Sequence, residues 1–121
     1  MQFFSLTSVL AFAFVVGQAS AANVVATATE FTVGDSIACS TSISNVASAL
    51  ASGDYCAVSS DNLECGHYVF YINQATPSVG YTCIAVDVAP DGDFYLSPSQ
   101  FEDSSLGASS FTATYVVSPS D

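Results

Sequence analysis

The stretch VAPDGDFYLSPSQFED, residues 88–103, brings together the residue types best suited to chemistry: alternating aspartates around a glycine, then a second acidic pair. This composition imitates a calcium loop, whose oxygen ligands recur at fixed odd positions, with glycine at position 6 and a bidentate glutamate at 12. If Leu96 takes the apolar eighth position, Asp91 and Asp93 fall at 3 and 5 and Ser97 at 9, but Ala89, Phe94 and Gln100 occupy 1, 6 and 12. A frame starting at Asp87 restores Gly92 at 6 and puts Ala89 at 3 and Pro98 at 12. Neither register supplies the ligands, so no metal or other cofactor is expected. Asp91, Asp93, Glu102 and Asp103 then become the expected binding surface, and a basic protein is their electrostatic complement.

Other reactive arrangements are thin. His67 is the single histidine and opens an apolar run, HYVFYIN. A nucleophilic triad would need this ring between a serine and an acid, and nothing in the spacing singles out either. Adjacent acids such as Asp91/Asp93 or Glu102/Asp103 share one turn, so they do not flank a bond as a glycosidase pair must. No glycine-rich phosphate loop is present. The expectation is a protein that is not an enzyme. The cysteines, Cys39, Cys56, Cys65 and Cys83, form an even set without CxxC spacing. That reads as two disulfides rather than zinc.

Charge narrows the partners. The chain has 11 acidic residues and neither Lys nor Arg. Phosphate backbones and anionic membrane surfaces both attract cations, so nucleic acid and membrane binding are excluded as expectations. Trypsin-like proteases also find no site. The first residues, MQFFSLTSVLAFAFVVGQASAA, contain an apolar run from Val9 to Val16 and a small-residue cleavage motif, Ala19-Ser20-Ala21. The run is shorter than the roughly 20 residues that span a bilayer. A signal peptide over 1–21 and one secreted extracellular domain over 22–121 are expected. A domain of that size buries a modest share of its surface, which makes cross-links valuable.

The elements that must position these residues follow from periodicity. VVATATEFTV, 24–33, reads as a strand. Ile43, Val46, Ala47 and Leu50 form one helical stripe, with Ser40, Thr41 and Ser42 before it and Gly53 after it, giving a helix near 42–52. YCAV, 55–58, is a short extended piece. HYVFYIN and YTCIAVDVA, 67–73 and 81–89, look like a hairpin. Pro90-Asp91-Gly92-Asp93 is turn chemistry, FYL is another short extended piece, and Ser97-Pro98 starts a helix over about 98–106. SFTATYVVS, 110–118, alternates with Phe111, Ala113, Tyr115 and Val117 on one face. The succession βαββαβ predicts an α+β fold, a disulfide-stabilised four-stranded antiparallel sheet with two helices in the ferredoxin-like order. The alternative is an all-β sandwich in which 98–106 is a loop and 93–96 a true strand. Of the three possible pairings, the ferredoxin-like geometry favours Cys39 with Cys83 and Cys56 with Cys65.

The MQFF signal, the four cysteines and the Ser/Thr/Ala/Val-rich mature chain resemble the small secreted cysteine-containing, effector-like proteins of filamentous fungi. The βαββαβ order is similar to their killer-toxin KP6-type fold. The resemblance implies a secreted module that acts by binding a host or competitor protein, or a wall glycan. The alternative is an extracellular structural or surface-coat protein that self-associates as its carboxylates protonate, below about pH 5.

Overall fold

A computed structural model describes residues 23–34 and 36–119; the expected signal peptide lies outside them. In chain order the elements are β1 (Val24–Glu30), α1 (Ser44–Ser52), β2 (Tyr55–Ser59), β3 (Tyr68–Asn73), β4 (Gly80–Ala89), β5 (Asp93–Leu96), α2 (Pro98–Ser104) and β6 (Phe111–Val117). The strands close into a barrel in the order β1-β5-β2-β4-β3-β6. β1/β5 and β2/β4 are parallel, and the other four pairings are antiparallel.

This closed, mixed barrel replaces the open four-stranded antiparallel ferredoxin-like sheet expected from the sequence. The difference lies in the two short extended pieces. YCAV and FYL, too short to show a period, are β2 and β5. They pair with each other through Cys56↔Leu96 and Ala57↔Tyr95 and join β4 to β1. Without them the sheet has two open edges; with them it has none, which removes the hazard of unpaired strand edges. The all-β alternative is nearer, since 93–96 is a true strand, although 98–104 is helical as the Ser97-Pro98 signal indicates.

The barrel interior obeys the strand alternation. Ala26 and Ala28 of β1, Val58 of β2, Val69 and Tyr71 of β3, Phe94 and Leu96 of β5, and Ala113 and Tyr115 of β6 form one buried cluster. Alanines on β1 and β6 leave room for rings from other strands. Phe94 stacks on Tyr115 with centroids 4.6 Å apart and meets Tyr71 edge-on at 5.2 Å. Helix α2 closes one end: Phe101 joins the cluster and stacks on Phe111 at 5.9 Å. Ser97 caps it, its Oγ accepting from Gln100 N–H.

Helix α1 lies outside the barrel against β2 and β4. Val46 and Ala49 bury against Tyr55, Ile84 and Val86 in a second cluster. No side chain caps its N-terminus, where Ile43 is the N-cap; Ser40 and Ser42 bond each other in the preceding turn. Gly53 ends it with φ 87°, a conformation glycine adopts without steric cost.

All four cysteines are in disulfides, but the pairs are Cys39–Cys65 and Cys56–Cys83, not Cys39–Cys83 and Cys56–Cys65. The reason is again β2. Cys56 is a strand residue opposite Ala85, so it faces the interior beside Cys83, and their bond joins β2 to β4 inside the barrel. The β2/β4 register skips Val86, as at a bulge. The freed Val86 carbonyl accepts Cys39 N–H at 3.1 Å, while the neighbouring Ala85 carbonyl accepts Gly66 N–H at 3.0 Å. Cys39 and Cys65 therefore dock at the same point of β4.

Candidate functional site

The four acids expected to act together are separated. Asp91 is exposed in the β4–β5 turn, and Asp93 starts β5 at the end of the barrel opposite α2. Glu102 and Asp103 are exposed on α2, where the Asp103 carbonyl accepts from Tyr81 Oη at 3.4 Å. Tyr81 and Ala89 stand near the two ends of β4, so at about 3.3 Å per residue the two pairs lie on the order of 20 Å apart. They form two small acidic tips, not one patch. Among the described residues no group of three or more His, Cys, Asp or Glu is placed to hold a metal ion. His67 holds down the end of β6: its Nδ1 is 2.8 Å from the Ser118 carbonyl oxygen, and Ser118 N–H donates to the Tyr68 carbonyl at 2.8 Å.

What the fold does build is a groove of about 320 Å³ between α1, the outer wall of β3 and β4, and the start of α2. Asn45 and Ser52 project from α1, Tyr68 and Thr82 from the neighbouring strands, Asp54 from the α1–β2 connection and Gln100 from α2. Ligand pockets commonly begin near 300 Å³, so the space suits one or two sugar-sized rings.

The polar groups are held in place by one another. Asp54 Oδ1 accepts from Gln100 Nε2 at 3.2 Å and its Oδ2 from Ser52 Oγ at 3.3 Å. Gln100 Nε2 also donates to the Thr82 carbonyl at 2.9 Å. Its Oε1 accepts the Tyr71 hydroxyl at 2.6 Å, and the same hydroxyl lies 3.2 Å from Ser104 Oγ. A chain of hydrogen bonds thus runs from the barrel interior to the groove. Burial pushes the Tyr71 phenol well above its ordinary range, outweighing the opposing effect of Ser104. It therefore stays a donor and fixes the Gln100 amide with Nε2 turned to the groove. Asn45 anchors through Nδ2 to the Gly66 carbonyl at 3.1 Å, which leaves its Oδ1 as an acceptor.

Chemically the groove offers acceptors on Asp54 and Asn45, hydroxyls on Ser52 and Thr82, and the half-exposed ring of Tyr68 at its rim. Asp54 is its one carboxylate, and the chain has no Lys or Arg to receive an anion. Sequence reasoning missed this site because its residues come from five separate segments with no spacing signature. The single local signal was Gly53-Asp54, where a polar residue follows a helix stop. No protein-family model, curated protein or solved structure matches the chain.

Proposed function

We propose that this chain is a small secreted protein that acts by binding, and that the groove beside α1 takes a neutral, hydroxyl-rich ligand of the wall-glycan class. The observation that carries this reading is the groove's chemistry: a carboxylate and amide groups held by neighbours, hydroxyls, and an exposed aromatic rim. Sugar hydroxyls donate to fixed acceptors, and the apolar face of a sugar ring packs on an aromatic one. A lone carboxylate supports retention rather than cleavage, since glycoside hydrolysis ordinarily uses two. The alternative occupant, a basic protein, is less favoured because the acids that would attract it lie at opposite ends of the barrel.

The test is isothermal titration of the protein with chitin, β-1,3-glucan and β-1,4-glucan hexasaccharides, together with co-sedimentation on the corresponding insoluble polymers. Binding to one of them should weaken at least about tenfold in Tyr68→Ala and in Asp54→Ala, the scale of a lost charged hydrogen bond or aromatic contact. It should not change when Asp91 and Asp93 become Asn. Absence of binding to all three polymers, or dependence on Asp91 and Asp93 instead, would defeat the proposal.

A further inference from the structure

The outer wall formed by β3, β6 and β1 is covered by neither helix, and its composition departs from the rest of the surface. The register places Val25, Thr114 and Ile72 in one row across the three strands. The next row is Val116 and Phe70, continued by Thr82 of β4. Val25 is 62% exposed and Phe70 48%, and Phe70 stacks on Tyr68 with centroids 6.4 Å apart. The outward positions of these strands carry no carboxylate; Glu30, at the last residue of β1, is the sole acid in the three. Other described acids sit elsewhere: Asp54 beyond α1, Asp61 and Glu64 between β2 and β3, Asp87 on β4, Asp91 and Asp93 around the β4–β5 turn, and Glu102 and Asp103 on α2.

We infer that this wall is a self-association surface and that its occupant is the same wall of a second copy. Charge decides the partner. A chain with 11 acids, no Lys or Arg and a single histidine cannot match its acids with cations across an interface with itself. Two copies meeting through α2, the β4–β5 turn or the β2–β3 connection bring carboxylates against carboxylates. The β3–β6–β1 wall lets them meet with threonines, aliphatic groups and rings alone. A basic partner gains nothing there, whereas an identical wall is its complement in polarity under a two-fold axis. Exposed apolar residues grouped in this way ordinarily mark an interface. The inference is independent of what the groove binds. Tyr68 borders both regions, so a dimer joined at Phe70 and Val25 carries two grooves.

The test is sedimentation equilibrium of the secreted protein at neutral pH over a concentration series, in 0.05 M and 0.5 M salt. A monomer–dimer equilibrium is expected, strengthening about tenfold at the higher salt because the net charge of −11 is screened. Phe70→Asp and Val25→Asp should each weaken it at least about tenfold by placing an unpaired charge in the interface. Val88→Asp, on an exposed β4 position away from the wall, should leave it unchanged. Phe70→Thr, which preserves the threonine character of the wall, reports the same loss should the aspartate variant fold poorly. A monomer under every condition overturns the inference. So does equal weakening by Val88→Asp, or loss of polysaccharide retention in Phe70→Thr while the wild type stays monomeric, which would make the wall a glycan platform.

Discussion

Replacing Tyr71 with phenylalanine should produce stability curves that cross at alkaline pH. The Tyr71 ring fills the barrel core and its hydroxyl donates to Gln100 Oε1. The variant keeps the ring and loses the bond, and the orphaned acceptor sits beside a groove that water can enter. About 1.5 kcal/mol of destabilisation is expected below pH 9. The pH dependence follows from burial, which raises the folded-state pKa of this phenol above its ordinary value. A phenol that is neutral in the folded chain and free to ionise when unfolded stabilises in full below about pH 10. That contribution declines above pH 10 by about 1.4 kcal/mol per pH unit. The substituted ring has no proton to hold, so the variant lacks this decline, and the two curves should meet at about pH 11. The window is unusually clean, because the chain has no Lys or Arg, its described cysteines are all in disulfides, and the other tyrosines are shared by both proteins. Urea unfolding at half-unit steps from pH 8 to 11.5 measures the gap directly. A gap that stays constant to pH 11.5 would refute the reasoning, since it would mean the phenol titrates alike in both states.

Three further outcomes are expected. Phe94→Ala, which removes a fully buried ring wedged between Tyr71 and Tyr115, should cost about 3–5 kcal/mol in urea unfolding, and a loss under about 1 kcal/mol would show that the barrel interior is not packed around it. Removing the outer disulfide with Cys39→Ala and Cys65→Ala, which opens a link spanning 26 residues, should cost about 3.5 kcal/mol in the same assay, and an unchanged midpoint would contradict a native bond there. Gly66→Ala should lower the melting temperature more than Gly92→Ala. Both glycines have positive φ, but a Cβ at Gly66 lies 2.8 Å from Ile43 Cγ2 whereas one at Gly92 meets nothing within 4 Å, so Gly92→Ala should cost only about 1 kcal/mol and equal losses would be inconsistent with this packing.

Much of the local structure was legible before the fold was known. The apolar stripe and Gly53 mark α1, the Ser97-Pro98 pair marks α2, and alternation places Phe111, Ala113, Tyr115 and Val117 on the inner face of β6. These signals are local, and each is long enough to show a period or a cap. β2 and β5 were not legible as sheet-closing strands, because five and four residues cannot display an alternation that outranks a turn or a loop. Their role depends on partners distant in sequence: β5 lies parallel to β1, pairing Asp93 with Thr27. The disulfide pairing failed for the same cause, since it was reasoned from a sheet in which Cys56 had no strand. Asp91, Glu102 and Asp103 are exposed and Asp93 is half-buried at the start of β5, and nothing in the sequence signalled that the four divide between two ends. The groove was invisible, because Asn45, Thr82 and Gln100 acquire meaning only when α1 is laid across β4.

The placement of the Cys56–Cys83 bond imposes an order of events on assembly. Both sulfurs lie within the closed wall, fully shielded or nearly so. An oxidant or an exchange partner can therefore reach them only while a seam of the barrel is open. The seams that close last in sequence terms are those of β6, which arrives roughly 40 residues after β3 and pairs both it and β1. Oxidation of this pair therefore belongs to states in which the wall is still incomplete, before its last strand has docked. Once the wall is complete the bond is sealed by the strands it helped to align, and reductants in the surroundings can act on Cys39–Cys65 alone unless the barrel opens.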